Sequence, residues 1–92
     1  MPSPARRRRS LEVQPEALED LPYWVAHDRK VAKKVLQLIE AACRDPFTGI
    51  GKPEPLKHLG PDVWSRRITR EDRLVYRVED TRIDVLQMRY HY

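Results

Sequence analysis

Residues 64 to 92 read WSRRITREDRLVYRVEDTRIDVLQMRYHY, with apolar side chains recurring at every second position apart from two short polar runs. A two-residue period marks extended strands whose successive side chains reach opposite faces of a sheet. The pattern resolves into strands at about 63 to 68, 73 to 78 and 82 to 90, joined by the turns 69 to 72 and 79 to 81. Consecutive strands with turns this short pair as an antiparallel meander. On the middle strand Leu74, Tyr76 and Val78 share the face expected to meet the core, opposite Arg73, Val75 and Arg77. On the last strand Arg89 and His91 share one face, and Leu86, Met88, Tyr90 and Tyr92 the other. Both faces of that strand carry apolar residues, so alternation leaves its inward face open, and a bulge would change the parity.

The apolar side of such a sheet needs a cover, and the preceding residues supply it. Leu11 and Val13 alternate with polar neighbours, predicting a short strand at about 9 to 14. A helix follows: Pro15 suits its first turn, Glu16 complements its dipole, and Leu18, Leu21, Trp24 and Val25 fall on one face. Pro22 removes a hydrogen bond and is expected to bend it. Asp28 is a good N-cap for a second helix, which buries Val31, Val35, Leu38, Ile39 and Ala42 and turns Arg29, Lys30, Lys33 and Lys34 outward. Asp45 and Pro46 end it. The short connection makes the two helices antiparallel neighbours. The predicted class is α+β: an N-terminal strand, two antiparallel helices, then an antiparallel meander of three to four strands, helices on one face and a basic surface on the other. The 92 residues allow one domain, drawn at residues 9 to 92 behind a flexible basic tail at 1 to 8.

Composition narrows the partners. A net charge of +4 and a pI near 9.5 favour a polyanion, either nucleic acid or an acidic protein. The single cysteine, Cys43, excludes an internal disulfide and reads as a small core residue, and no His/Cys cluster has metal-ligand spacing, so neither a metal nor another cofactor is expected. No apolar run is long enough to span a bilayer and the N-terminus lacks a signal-peptide pattern, which points to the cytoplasm. The run from Arg6 to Arg9 is either a solvated tail or an electrostatic arm for a phosphate backbone. Arg66, Arg70, Arg77 and Arg82 are expected on a solvated, phosphate-attracting face. Trp64 and Tyr76 read as packing residues, and His27 and His58 as surface or capping groups. Residues 47 to 60 hold Lys52, Glu54, Lys57 and His58 among prolines and glycines, and form either a site loop or a polar connection.

The segments GKPEPLKH at 51 to 58, WSRRI at 64 to 68, RLVY at 73 to 76 and RYHY at 89 to 92 together carry a specific resemblance. Over residues 9 to 92 the chain resembles the YoeB (Txe) toxins of the RelE/ParE superfamily. The resemblance implies a toxin of a type II toxin-antitoxin pair with a RelE-like, microbial-ribonuclease-like fold, cleaving mRNA in the ribosomal A site. It also implies neutralisation by an acidic antitoxin of the YefM type, operator DNA binding by the toxin-antitoxin complex, and a possible homodimer. By motif position, the catalytic glutamate falls on Glu54, the catalytic arginine on Arg73 and the catalytic histidine on His91. Lys57 and Arg67 match supporting basic positions and Tyr92 the terminal tyrosine. The extension through Arg9 and the proline at Pro22 depart from the family pattern.

These residue types suit RNA cleavage without a metal. Glu54 would take the 2′-hydroxyl proton, His91 would protonate the departing 5′-oxygen, and Arg73 would stabilise charge on the phosphate. A carboxylate is a weak base unless burial or a neighbouring phosphate strengthens it, so Glu54 is expected in such a setting, with Lys57 acting against it. Tyr90 or, preferentially, Tyr92 would stack on an unpaired base. Two other readings compete: a non-enzymatic basic module that blocks translation or binds operator DNA, and a gyrase-inhibiting relative of the same fold, in which RYHY would lack a catalytic purpose.

Overall fold

A computed structural model describes residues 8 to 91. Strand β1 (Ser10–Val13) leads into three helices, α1 (Pro15–Leu18), α2 (Asp20–His27) and α3 (Arg29–Arg44). The chain then forms β2 (Glu54–Pro55), a single 3-10 turn (Lys57–Leu59), β3 (Val63–Arg67), β4 (Arg73–Val78) and β5 (Arg82–Tyr90). The strands make one sheet in the order β1-β5-β4-β3-β2, antiparallel except where β1 lies parallel to β5. The meander is therefore present as read, with the two residues of β2 added at one edge.

The helical layer departs from expectation at its start. In place of one helix bent at Pro22 there are two, interrupted at Glu19. Proline lacks the N–H that would bond back to Leu18, and its ring crowds that carbonyl, so the break falls one turn upstream of the proline. The buried stripe lies one residue from the predicted one: Ala17 and Trp24 are buried, whereas Leu18 and Val25, predicted for the core, are exposed. Trp24 Nε1 donates to Met88 O at 2.8 Å, and Asp20 Oδ2 accepts the Met88 N–H at 2.9 Å, tying α2 to β5. Asp28 caps α3 through the N–H groups of Lys30 and Val31. Val35, Leu38, Ile39, Ala42 and Cys43 are buried against Leu74, Tyr76 and Val78, with Val31 partly buried beside them.

Two bulges settle the parity of β5. Tyr76 pairs with Val85, Val75 with Gln87 and Arg73 with Tyr90, so β5 spends extra residues twice against β4. Ile83, Val85 and Met88 consequently join the helix-facing core, while Leu86 and Tyr90 pack on the opposite face with Leu56, Val63 and Val75. Met88 thus parts from Leu86 and Tyr90, with which simple alternation groups it.

The arginines expected on a solvated face divide. Arg70 is exposed and Arg77 half-buried. Arg82 is held by Asp84 at 2.6 Å and Glu12 at 3.3 Å. Arg66 is fully buried on the helix side of β3. Its guanidinium donates to the carbonyls of Asp45 (2.6 Å), Ile50 (2.8 Å) and Thr48 (2.9 Å), and its Nε to the Tyr76 hydroxyl at 3.1 Å. At the N-terminus Arg8 pairs with Glu40, while Arg9 donates through its backbone N–H to Cys43 O at 2.9 Å and through Nε to Glu79 O at 2.8 Å. The end of the arginine run is thus docked on the body of the protein; Arg6 and Arg7 lie outside the described residues.

Arg66→Ala is expected to lower folding stability by about 2–4 kcal/mol in urea denaturation, since it strands several buried carbonyls. Arg66→Lys should recover only part of that loss, because one ammonium cannot reproduce a planar fork over acceptors on different sides. Wild-type stability in either variant would contradict an anchoring role for Arg66.

Candidate active site

Glu54 reaches the sheet through a loop with little regular structure, and Arg66 defines its path. Carbonyls at residues 45, 48 and 50 close over the buried guanidinium, and Tyr76 Oη donates to Pro46 O at 2.7 Å. Burial pushes the Tyr76 phenol up, with Arg66 opposing that shift. Asp45 turns its carboxylate to its own loop, and the Thr48 hydroxyl and then the Phe47 N–H hold it below the usual range. The Gly51 carbonyl accepts from Arg67 N at 2.7 Å, and a Cβ on Gly51 would meet Leu38 Cδ2 at 2.7 Å, so the chain passes where only glycine fits. Lys52 then takes a φ of 50°, and Glu54 enters β2 opposite Ser65.

On the face of the sheet away from the helices, Glu54 Oε1 lies 2.8 Å from Arg73 Nη1. Arg73 comes from the start of β4, is 13% exposed, and also points Nη1 at Ser65 Oγ, 3.3 Å away. Glu54 is 48% exposed. The buried setting that would strengthen it is therefore absent, and its strand has only two residues with which to enclose it. Arg67 is exposed on β3 directly opposite Arg73, and Lys57 is exposed on the 3-10 turn. Residues 47 to 60 thus carry Glu54 to Arg73.

His91 follows Tyr90, whose backbone is the register partner of Arg73. The imidazole is exposed, and its Nδ1 lies 3.0 Å from Asp72 Oδ1. The structure therefore brings Glu54 and Arg73 into direct contact and sets His91 on the residue preceding Arg73, bonded to Asp72 and not to Glu54. Tyr92 lies outside the described residues. Tyr90 is half-buried on the Leu56, Val63 and Val75 cluster, and its hydroxyl sits 3.2 Å from His58 Nε2. That packing makes Tyr90 part of the site wall, and gives His58, read as a surface or capping group, a contact there.

Ser65, Asp72 and the anchoring Arg66 were not among the predicted site residues. Parity carried a signal for one of them: Arg66 shares its face with Trp64, read as a packing residue, and with the apolar Ile68. Among the described residues no three of His, Cys, Asp and Glu gather to hold a metal ion, and no helix is long and apolar enough to cross a membrane.

Residues 13–92 match the family model described as YoeB-like toxin of bacterial type II toxin-antitoxin system. The toxin YoeB of Mycobacterium bovis is 51% identical over 84 residues, covering 91% of this chain and 99% of the relative. The solved YoeB dimer from Staphylococcus aureus superposes with a TM-score of 0.84 at 40% identity, covering 94% of this chain and 100% of that one. A heterotetrameric YoeB-YefM toxin-antitoxin complex from Staphylococcus aureus gives a TM-score of 0.78 at 41% identity, with the same coverage.

Glu54→Gln keeps the length of the side chain and removes its charge. Because Glu54 is half exposed, its pairing with Arg73 is expected to contribute less than about 1 kcal/mol to folding. The urea transition should stay within that margin of wild type. A loss above about 2 kcal/mol would mark Glu54 as a structural residue.

Proposed function

Because the chain belongs to the YoeB family of toxins from bacterial type II toxin-antitoxin systems, we propose that it is a ribosome-dependent endoribonuclease cutting mRNA in the A site without a metal. The observation that carries this reading is the 2.8 Å contact between Glu54 and Arg73 on an open sheet face, with His91 held on the adjoining turn. The proposed division of labour follows from chemistry. Arg73 is permanently charged and planar, suited to grip two oxygens of the scissile phosphate. A phosphate that takes over the guanidinium releases the Glu54 carboxylate to accept the 2′-hydroxyl proton. The 2′-oxygen then bonds to phosphorus, the bond to the 5′-oxygen breaks, and His91 protonates that leaving oxygen. Arg67 and Lys57 attract the flanking phosphates, and Tyr92 is the proposed stacking platform for a base.

The partners are part of the proposal. An acidic antitoxin of the YefM type would neutralise the toxin, a homodimer would form in its absence, and the toxin-antitoxin complex would bind operator DNA. The Staphylococcus aureus YoeB dimer and YoeB-YefM complex support the first two. The site of action would be the cytoplasm, where translating ribosomes are.

Primer extension on ribosome-bound mRNA tests the reading. Wild-type protein should give a cut at the A-site codon, and Glu54→Ala and His91→Gln should each slow it by about 10²- to 10⁴-fold, the usual worth of a positioned proton-transfer group. Translational arrest on intact mRNA would overturn the enzymatic reading in favour of a basic module that blocks the ribosome. Cleavage by His91→Gln at the wild-type rate would overturn the role given to His91.

A further inference from the structure

Asp72 stands one residue before Arg73 and has no part in the reaction as drawn above. Its side chain is 14% exposed and is held on the side away from His91. Oδ2 accepts from the Thr69 hydroxyl at 2.9 Å, and that same oxygen of Thr69 accepts the backbone N–H groups of Asp72 at 2.9 Å and Glu71 at 3.1 Å. The Asp72 carbonyl closes the turn by accepting from Ile68 N at 2.9 Å and Thr69 N at 3.2 Å. The carboxylate is thus fixed before it meets the imidazole, and Oδ1 is the oxygen it presents, 3.0 Å from His91 Nδ1. This differs from a surface pair of two long flexible side chains, in which the entropy of ordering consumes the attraction.

We propose that Asp72 is the positioning residue for His91, selecting which ring nitrogen gives up the proton in RNA cleavage; the inference rests on the reading of His91 as the general acid. An ionised carboxylate only accepts hydrogen bonds, so the nitrogen facing it carries hydrogen in both the charged and the neutral ring. The imidazolium therefore keeps Nδ1–H on Asp72 and transfers the proton of Nε2 to the departing 5′-oxygen as the bond from phosphorus to that oxygen breaks. The ring is left neutral with hydrogen on Nδ1, the tautomer that Asp72 stabilises. Without the carboxylate, a neutral imidazole in water favours hydrogen on Nε2, and the ring gains freedom to rotate away from the reacting oxygen. Asp72 touches no substrate atom in this scheme; it acts through the imidazole.

The test reads the tautomer and the chemistry separately. Long-range proton-nitrogen NMR of the full chain at about pH 8.5, where an imidazole is ordinarily neutral, should show His91 as the Nδ1–H tautomer, with its signals identified by their loss in His91→Gln. Asp72→Ala should move it to the Nε2–H form, and should lower kcat for A-site cleavage about 10-fold or more with KM little changed, as expected for a misplaced reacting group. Asp72→Asn keeps an oxygen for the Thr69 hydroxyl and so preserves the turn, but presents an amide N–H to His91 Nδ1. It should therefore impose the Nε2–H form and lower kcat at least as much as alanine, and it carries the comparison if the alanine variant does not fold. An unchanged tautomer in these variants overturns the proposal whatever the cleavage rate. A changed tautomer with wild-type kcat overturns the catalytic part. A wild-type protein that cuts no RNA, yet shows the tautomer response to Asp72, overturns the proposed reaction and Asp72's part in it, a pattern distinct from either of the others.

Discussion

The arrangement depends on a buried cation that is satisfied by backbone dipoles. Arg66 is fully inaccessible, and among the described residues its acceptors are three carbonyls and a tyrosine hydroxyl. Taking a guanidinium out of water costs several kcal/mol, which is offset only if its donors find well-placed acceptors. Here the three carbonyls belong to residues 45 to 50, a stretch with no ladder of its own to satisfy them. The cation and the loop therefore solve each other's problem. One consequence reaches the site directly, because Gly51, Lys52 and Pro53 are all that separate the anchored stretch from Glu54.

A second constraint comes from the far side of the sheet. A five-stranded sheet covered on one face would ordinarily expose the other, yet Leu56, Val63 and Val75 are buried there, with Leu86 and Tyr90 packed against them. The β5 bulges make this possible by moving Met88 to the helices while leaving Leu86 and Tyr90 outside. That small cluster lies between the edge strand and β5, on the same face of the sheet as Glu54, Arg73 and Ser65. Tyr90 makes two contacts there: its ring packs on the cluster and its hydroxyl meets His58.

Much of this was legible because burial on one face imposes a period. The three strands from residue 63 onward, the capped α3 and the inward Leu74, Tyr76 and Val78 all follow from apolar spacing. What stayed hidden depends on events that break a period. Pro22 interrupts the helix at Glu19; the β5 bulges exchange parity midway along a strand; β2 is too short to carry an alternation. Glu54, Arg73 and His91 were assigned through motif resemblance, since nothing in their spacing reveals that Glu54 meets Arg73 or that His91 meets Asp72. Arg66 was legible in principle by its parity with Trp64 and Ile68, and was obscured by the ordinary expectation that arginine faces water. Asp72 left no signal, because a polar turn residue looks the same whether it caps a turn or holds an imidazole.

Asp72 and Arg73, adjacent in the chain, each hold a side chain brought from elsewhere: His91 from the end of β5, and Glu54 from the anchored loop. The two pairs differ in what they can exchange. Arg73 does not release a proton, so in its pair only Glu54 can act as an acceptor once the guanidinium turns to phosphate. In the other pair the carboxylate occupies Nδ1, so only the second nitrogen of His91 is left for proton transfer. In the proposed reaction one dipeptide at the start of β4 thereby assigns the base and the acid. The assignment needs no enclosing pocket, because it is made by which partner each charge already holds, and this suits a small domain whose substrate would be a strand presented on a far larger surface.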